Sequence, residues 1–303
     1  MFCFILRNLQ FINYMLNLVI KNKKYEYKIM IKVCIIGTGQ IGYDLLHKII
    51  KLDFVKIVAF VGRRESTKAL PNSITYSDKS IEYFILNPKC CDVVFDCTDA
   101  YSAVINNKIF LEQGIKVIDL TPSNIGEFYI PYISVPNSYN INMVTCGGQV
   151  SIPFLNYISN KMNNVIYAEV VTQINSESAG MATRINIDKY IDTTETAIKK
   201  FTNISQCKVI LNINPSIHTT MQTTIFIKTN GTNDNITFED FDIFINKIHT
   251  YVKNYKAKTP IWLSKNLLMA HITITSSGET LSEYSGNLDI INCAAVNALK
   301  SII

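Results

Sequence analysis

The sequence predicts an α/β protein in which a parallel sheet domain is followed by an α+β domain. Three observations lead to this prediction. Short apolar strands alternate with helices in the first half, a glycine-rich turn joins the first strand to its helix, and longer strands occupy the second half. Strands that alternate with helices are typical of a doubly wound parallel sheet. The length of 303 residues is consistent with two domains.

The first half contains four predicted strands. They cover residues 31–36, 56–61, 92–97 and 117–120, and each is a short apolar run. Helical spacing of apolar residues predicts helices at 43–51 and at about 102–113, and Gly114 ends the second of these. We therefore expect residues 30–145 to form the first domain.

The second half contains longer strands, predicted at 165–174, 207–213, 223–228 and 271–276. Helices are predicted at about 150–161, 188–201, 238–254 and 288–299. This arrangement favours an α+β domain over residues 146–284. We expect residues 285–303 to form a helix that returns to the first domain.

Residues 1–29 form an N-terminal extension that we expect to lie outside the fold. Their apolar residues recur at helical spacing, but polar residues interrupt the run. A membrane span needs about 20 mostly apolar residues, so this stretch is too polar to cross a membrane. The alternatives are an amphipathic targeting helix and a start codon placed too early, because Met30 directly precedes the first strand.

Charge and cysteine usage exclude several classes of protein. The formal net charge is +5, and no run of lysine and arginine is interleaved with aromatic residues, so nucleic-acid binding is not expected. The eight cysteines include no CxxC pair, and neither they nor the four histidines show metal-ligand spacing. We therefore predict no metal site, reduced thiols and a cytoplasmic location.

The glycine-rich turn between the first strand and its helix predicts a dinucleotide site. The turn is Gly37-Thr38-Gly39-Gln40-Ile41-Gly42. Its first glycine allows a tight turn, its second lets the backbone approach a pyrophosphate, and its third allows close helix–strand packing, as in Rossmann-type domains. The phosphates would meet the free amides of the helix. The alternative is a purely structural turn.

The end of the second strand bears on the choice between NAD and NADP. A carboxylate at this place binds the ribose hydroxyls of NAD, whereas an arginine suits the 2′-phosphate of NADP. The strand is followed by Arg63 and Arg64, and no carboxylate is obvious at its end. The two arginines therefore leave NADP open, with solvated loop charges as their alternative role.

Cys146 is the candidate nucleophile. It follows an apolar strand end and is followed by Gly147, Gly148 and a helix. The positive end of a helix lowers the pKa of a thiol, and free amides of the two glycines would hold an oxyanion. Such a thiolate attacks an aldehyde and leaves a thioester after hydride transfer. The alternative is a buried structural cysteine, which is our interpretation of the other seven.

From about residue 31 to about residue 299 the chain resembles the acylating acetaldehyde dehydrogenases. The order and spacing of several stretches carry the resemblance. The matching stretches are Ile36–Gly42, Asp92–Asp96, Ile118–Pro122, Asn142–Gln149, Ser178–Gly180 with Thr183 and Arg184, and Tyr284–Ile290.

The resemblance implies a semialdehyde-dehydrogenase-like fold, oxidation of acetaldehyde with NAD and coenzyme A to acetyl-CoA, a homodimer and a 4-hydroxy-2-oxoacid aldolase partner that delivers the aldehyde. Cys146 falls on the acyl-thioester cysteine, and Thr38 to Ile41 fall on the cofactor turn. A second-domain loop and one later residue would also contact the cofactor. They are Ser178, Ala179, Gly180, Met181, Ala182, Thr183, Arg184, Ile185, Asn186 and Asn287.

The chain departs from the family at two places. Thr223 stands where the family has an aspartate proposed as a general base, and a missing base slows turnover by about 10²–10⁴-fold. His218 is a candidate substitute, with a solvated loop histidine as the alternative. Met181-Ala182 replaces Pro-Gly, which is tolerated only if Ala182 does not need a positive φ.

The change at Thr223 keeps two other functions open. One is an acyl-CoA reductase or aldehyde dehydrogenase of a different pathway with another substrate. The other is a catalytically impaired, cofactor-binding partner subunit. The intact Cys146-Gly147-Gly148 stretch argues against the second.

Overall fold

The computed structural model describes residues 30–64, 70–162, 164–216, 219–231 and 237–302. The N-terminal extension and His218 lie outside the described residues, so our predictions for them remain predictions. Among the described residues, no helix is both long and apolar enough to cross a membrane.

The first sheet has seven strands, and every pair in it is parallel. Its order is β3-β2-β1-β4-β5-β7-β6, so β1 lies between β2 and β4 and the chain reverses direction across the sheet at this point. Ligands of doubly wound sheets bind at such a switch point. The elements are β1 (Ile31–Ile36), α1 (Gln40–Ile49), β2 (Val55–Val61), β3 (Thr75–Ser77), α2 (Glu82–Leu86), β4 (Val93–Asp96), α3 (Ala100–Glu112), β5 (Lys116–Asp119), β6 (Glu127–Phe128) and β7 (Asn140–Asn142).

The second sheet has six strands and is mostly antiparallel. Its order is β11-β13-β10-β8-β9, with β12 pairing with β13, and only β8 and β9 are parallel. The elements are α4 (Cys146–Lys161), β8 (Val165–Asn175), α5 (Met181–Ile185), α6 (Ile187–Phe201), β9 (Cys207–Asn214), β10 (Met221–Thr229), α7 (Phe241–His249), β11 (Tyr255–Ala257), β12 (Ile261–Ser264), β13 (Leu267–Ile274) and α8 (Gly286–Ser301).

The last helix, α8, packs on the first domain. Ile291, Ala295 and Leu299 share a buried core with Leu45 and Ile49 of α1. A polar network lies beside this core, in which Asn292 donates to Asp44 (2.8 Å) and Lys48 pairs with Asp289 (2.7 Å). The end of the chain therefore holds α1, the helix that follows the glycine turn, in place.

The predicted fold is confirmed, and several element boundaries are wrong. Helix α4 begins at Cys146 rather than near residue 150, because the Thr145 side chain caps it despite the two glycines. The helix predicted at 238–254 extends only over Phe241–His249. Strand β13 begins at Leu267 instead of residue 271, and the short β3, β6, β7, β11 and β12 carry too few residues for a clear pattern.

Candidate active site

Two adjoining cavities lie between the domains. The larger, of about 580 Å³, is lined by the glycine turn and by the loop around Gly180. The smaller, of about 80 Å³, contains Cys146. Both are lined by Ile41, Cys97, Thr98, Ala182, Thr183 and Leu288, so the two cavities adjoin each other. The structure therefore brings the glycine turn and the cysteine turn, about 110 residues apart in the chain, to one cleft.

The glycine turn has the geometry of a phosphate cradle. Gly37 has a φ of +105°, and a Cβ there would lie 2.4 Å from the Cys97 carbonyl oxygen. A Cβ on Gly42 would lie 1.9 Å from the Gly37 carbonyl oxygen, whereas one on Gly39 would meet nothing within 4 Å. Because α1 has no side-chain cap, its first amides remain available for an anion.

The second-domain loop faces the glycine turn across the larger cavity. Ser178, Gly180, Met181, Ala182 and Thr183 line this cavity, together with Gly37, Thr38, Gly39, Gln40 and Ile41. Ala182 lies in α5, where φ is negative, so the loss of the family's glycine at this position has no backbone cost.

Four of the predicted cofactor-binding residues line neither cavity. Gly42 packs against Gly37, and Ala179 is buried below the loop. Arg184 Nε donates to the Ala179 carbonyl (3.1 Å), and Ile185 is exposed. These four residues belong to the turn and the loop but do not line the cleft.

Asn186 and Asn287 line the smaller cavity with unsatisfied acceptors. The Asn186 Nδ2 donates to the Ala182 carbonyl (2.7 Å), and the Asn287 Nδ2 donates to the Ser178 carbonyl (3.4 Å). Both Oδ1 atoms are buried, with no hydrogen-bond partner among the described residues. Buried acceptors are normally paired, so these two carboxamide oxygens are suited to a ligand's donors.

The turn before Cys146 is strained. Val144 has a φ of +59°, which is rare for a β-branched residue and costs about 1–3 kcal/mol. The Val144 amide donates to Asn142 Oδ1 (2.8 Å), and Thr145 Oγ1 accepts from the Gly148 amide (2.9 Å). These bonds fix Cys146 at the first position of α4. They also occupy the Gly148 amide, so our expectation that it is free for an oxyanion is wrong.

The Cys146 residue as a whole is half-buried, but its thiol group is shielded from water. Burial raises the pKa of this thiol to about 11, whereas hydrogen bonds from Tyr190 and from the amides of Gly147 and Cys146 act to lower it. The sequence predicted a lowered pKa, and this prediction is wrong in direction. The two amides do point at the sulfur, as a nucleophile at a helix start requires.

The raised pKa predicts slow alkylation of Cys146 in the ligand-free protein. The Tyr190 hydroxyl lies beside the sulfur, Thr145 and Thr172 lie beside that hydroxyl, and Cys97 and Asp99 also line the cavity. At pH 8 the thiolate fraction should be about 100-fold below that of a thiol with the ordinary pKa. We expect the iodoacetamide rate at Cys146, measured by peptide mass spectrometry, to rise about tenfold per pH unit from pH 7 to 10. A plateau near pH 8 would contradict the burial argument.

Tyr190 is a site residue that sequence reasoning missed. It lies on α6, and its hydroxyl is placed beside the Cys146 sulfur and the Thr172 hydroxyl. A Cβ on Gly147 would lie 1.9 Å from the Tyr190 hydroxyl oxygen. This buried hydroxyl has no hydrogen-bond partner of normal geometry among the described residues. In the sequence, a tyrosine on the apolar face of an amphipathic helix resembles any core residue.

Thr223 occupies the position where the family's aspartate is expected. It is fully buried on β10, and its hydroxyl lies 3.1 Å from the Thr172 hydroxyl. Thr172 in turn lies beside Tyr190. The structure thus places a chain of neutral hydroxyls, rather than a carboxylate, on this side of Cys146.

The sheet of the first domain also brings three thiols together. The sulfur atoms of Cys34, Cys90 and Cys91 all lie within 4.8 Å of one another. Sequence spacing gave no sign of this cluster, because Cys34 is 56 residues from Cys90 and meets it only through strand pairing. The proximity of the three sulfurs does not test the prediction of no metal site, which stays a prediction.

Solved structures define the class of fold. The chain is similar to aspartate semialdehyde dehydrogenase II from Vibrio cholerae, with a TM-score of 0.63 and 12% identity over 90% of this chain and 97% of that one. It is also similar to the NADP complex of aspartate semialdehyde dehydrogenase from Candida albicans, with a TM-score of 0.55 and 13% identity over 90% and 99%. The protein thus has the fold of the semialdehyde dehydrogenases.

Sequence comparison then defines the family. Residues 146–282 match the family model described as prokaryotic acetaldehyde dehydrogenase, dimerisation. The acetaldehyde dehydrogenase of Spirochaeta aurantia is 40% identical over 88% of this chain and 92% of that protein. That of Pectobacterium atrosepticum is 38% identical over 90% and 95%. The chain belongs to the acetaldehyde dehydrogenase family, as the resemblance implied, and is an oxidoreductase.

Proposed function

We propose that this protein oxidises acetaldehyde or another short aldehyde to its acyl-CoA, with a nicotinamide dinucleotide as oxidant and coenzyme A as co-substrate. One observation carries the proposal: the cavity that contains Cys146 adjoins the cavity lined by the glycine turn, and six residues line both. A thiol nucleophile beside a dinucleotide site is suited to forming a thioester by oxidation.

The larger cavity fits a dinucleotide. The uncapped start of α1 and the open space at Gly39 would receive the pyrophosphate. The loop from Ser178 to Thr183 would cover it from the second domain. When bound, the nicotinamide accepts a hydride from the substrate carbon. Asn186 and Asn287, with their unpaired carboxamide oxygens, would orient groups near the reacting carbon.

Cys146 would form and release the acyl group. After the thiol proton is lost to solvent, the thiolate adds to the aldehyde carbon, and the carbonyl electron pair moves to the oxygen. Loss of hydride from that carbon restores the carbonyl and leaves a thioester on Cys146. The coenzyme A thiolate then attacks the thioester, and the Cys146 thiolate leaves as acyl-CoA departs.

Tyr190 would stabilise the Cys146 thiolate. Burial raises the pKa of Tyr190 well above its ordinary value, so its hydroxyl stays protonated and acts as a donor rather than a base. A donor beside the sulfur favours the thiolate and compensates in part for the carboxylate that is missing at Thr223. The buried and otherwise unpaired hydroxyl is the observation that motivates this role.

Tyr190→Phe tests this role. We expect both the alkylation rate of Cys146 at pH 8 and kcat to fall about tenfold, because one hydrogen bond to the thiolate is lost. The free energy of unfolding should change little, because the hydroxyl makes no hydrogen bond of normal geometry with a described residue in the ligand-free protein. Tyr255→Phe is the matched control: it removes a buried hydroxyl that donates to the Val150 carbonyl (3.1 Å), so it should lower Tm and leave both rates unchanged. Equal rates in Tyr190→Phe and wild type would assign Tyr190 to packing alone.

The assembly and location are also proposals. The matching family model includes a dimerisation region, which supports a homodimer formed through residues 146–282. The resemblance supports a 4-hydroxy-2-oxoacid aldolase partner and a cytoplasmic location. Size-exclusion chromatography with light scattering, with and without such an aldolase, tests both associations.

The reaction is tested by following the absorbance of reduced nicotinamide with acetaldehyde, coenzyme A and either NAD or NADP. Formation that requires coenzyme A supports the proposed function. Formation without coenzyme A would indicate a hydrolytic enzyme instead.

A cofactor-binding subunit without turnover is the second candidate, and the neutral Thr223 is the observation that favours it. Cofactor binding without oxidation of any short aldehyde would support that candidate.

A further inference from the structure

The cleft carries two arginines at the end of β2, where an adenosine ribose is recognised in this type of domain. Gly62, Arg63 and Arg64 line the larger cavity together with Ser80. Thr38 of the glycine turn packs directly against Gly62, since a Cβ there would lie 2.4 Å from the Thr38 Oγ1. The arginines therefore lie next to the turn that would hold the pyrophosphate.

The backbone around these arginines is held in place. The Gly62 amide donates to the Ser77 carbonyl (2.8 Å), and the Ser80 amide donates to the Gly62 carbonyl (2.8 Å). The Tyr76 hydroxyl donates to the Arg64 carbonyl. Arg63 is 3.9 Å from Asp99 at the start of α3, and its side chain is 74% exposed, so this ion pair is weak. Its guanidinium thus remains accessible to a ligand.

We infer that Arg63 and Arg64 bind the 2′-phosphate of an NADP-type cofactor, so that the enzyme prefers NADP to NAD. This inference rests on the proposed function and specifies its cofactor. Two guanidinium groups beside the ribose position attract a phosphate dianion, and guanidinium forms charge-assisted hydrogen bonds with phosphate. The same two guanidinium groups stabilise a neutral ribose 2′-hydroxyl less than they stabilise a phosphate dianion.

The test compares the binding of 2′,5′-ADP and 5′-ADP by calorimetry, without aldehyde or coenzyme A. We expect 2′,5′-ADP to bind at least about tenfold more tightly, and this ratio to shrink as salt rises. Arg63→Ala and Arg64→Ala should each reduce the ratio. Lys56→Ala is the matched control, because Lys56 is an exposed cation on β2, the strand that precedes the two arginines, and does not line the cavity.

Equal or tighter binding of 5′-ADP to the wild type would overturn the inference, as would arginine variants that keep the ratio. Binding of neither nucleotide would contradict the dinucleotide site itself, and the proposed function with it. A preference for 2′,5′-ADP in a protein that oxidises no aldehyde would support the inference while contradicting the proposed reaction.

The thiol cluster of the first domain carries a second, independent inference. Cys34 lies in the middle of β1, and Cys90 and Cys91 precede the neighbouring β4. The two strands are tied at this end, since the Lys32 amide donates to Asp92 Oδ2 (2.8 Å) and the Asp92 amide donates to the Lys32 carbonyl (2.8 Å). The three sulfurs are thus held in a fixed arrangement.

The spacing of the sulfurs suits one shared ion. Cys34 Sγ is 4.0 Å from Cys90 Sγ. Three thiolates bound about 2.3 Å from an ion in a trigonal plane lie about 4.0 Å apart. Cys34 and Cys91 are buried among apolar residues, while Cys90 is partly exposed and gives access.

We propose that Cys34, Cys90 and Cys91 form a three-coordinate site for a soft, thiophilic cation such as Cu(I). Soft thiolates select such ions, and binding would release thiol protons to solvent. The cluster belongs to the core of the first domain and lines neither cavity of the candidate active site. Its occupancy would therefore act on stability rather than on the reaction.

An anaerobic titration with Cu(I), against a competing chelator, tests this site. We expect the wild type to bind one more Cu(I) than Cys90→Ser, and its Tm to rise on binding. Cys207→Ser is the matched control, because Cys207 is partly exposed on β9 and outside the cluster. Equal stoichiometry and Tm response in wild type and Cys90→Ser would overturn the proposal.

Discussion

Cys146→Ala is expected to abolish coenzyme A-dependent aldehyde oxidation, lowering kcat by at least about 10⁴-fold. Among the described residues, the other thiol that lines these two cavities is Cys97, which follows β4. The thiol of Cys97 is poorly suited, because burial raises its pKa well above the ordinary value.

The measurement is kcat for reduced-nicotinamide formation, accompanied by Tm and by cofactor affinity. Tm and cofactor affinity should both stay close to the wild-type values, because alanine retains the start of α4 and the Thr145 cap. Cys207→Ala is a suitable control, since Cys207 lies on β9 and outside both cavities. Retention of more than a few per cent of the activity by Cys146→Ala would contradict a thioester on this residue.

Gly42→Ala is expected to produce the largest loss of stability among the glycine-turn variants. Its new Cβ would lie 1.9 Å from the carbonyl oxygen of Gly37, and backbone atoms cannot rotate away as a side chain does. Either α1 or the turn must move, and both pack into the first-domain core. We expect a loss of about 3 kcal/mol in the free energy of unfolding. Chemical denaturation checks this value.

Gly39→Ala separates the cofactor role of the turn from its structural role. Its new Cβ would meet nothing within 4 Å, and its φ of −70° suits alanine, so stability should be unchanged or slightly higher. The added methyl group occupies space that the pyrophosphate needs, so cofactor affinity should fall at least about tenfold. A stable Gly42→Ala protein, or a Gly39→Ala protein with normal cofactor affinity, would contradict the assigned turn.

The site could be predicted from the sequence where the signal is local. The glycine turn lies between a strand and a helix, so its spacing predicts its geometry, and the structure gives Gly37 the positive φ and Gly42 the close contact. The position of Cys146 at the start of α4 could be predicted from the local sequence in the same way. Arg63 and Arg64 were found in the same way, from their position after β2.

The contacts that determine the chemistry of Cys146 are not local. Tyr190 on α6 and Thr223 on β10 come from distant parts of the chain, and only packing places them around one thiol. The sequence indicates a helix start that lowers the thiol pKa. The tertiary structure buries the same thiol, and desolvation raises its pKa instead, because it outweighs the hydrogen bonds there.

The sequence by itself determined the two-domain α/β fold, the order of its main elements, the family, and the two turns that we assign to cofactor and nucleophile. Only the tertiary structure decided which residues surround these turns, that the two cavities adjoin each other, and that Cys34, Cys90 and Cys91 lie close together. The physical reason is the distance along the chain over which each kind of interaction acts. Turn geometry and helix starts depend on neighbours a few residues away, whereas desolvation and thiol clustering depend on side chains that packing brings together.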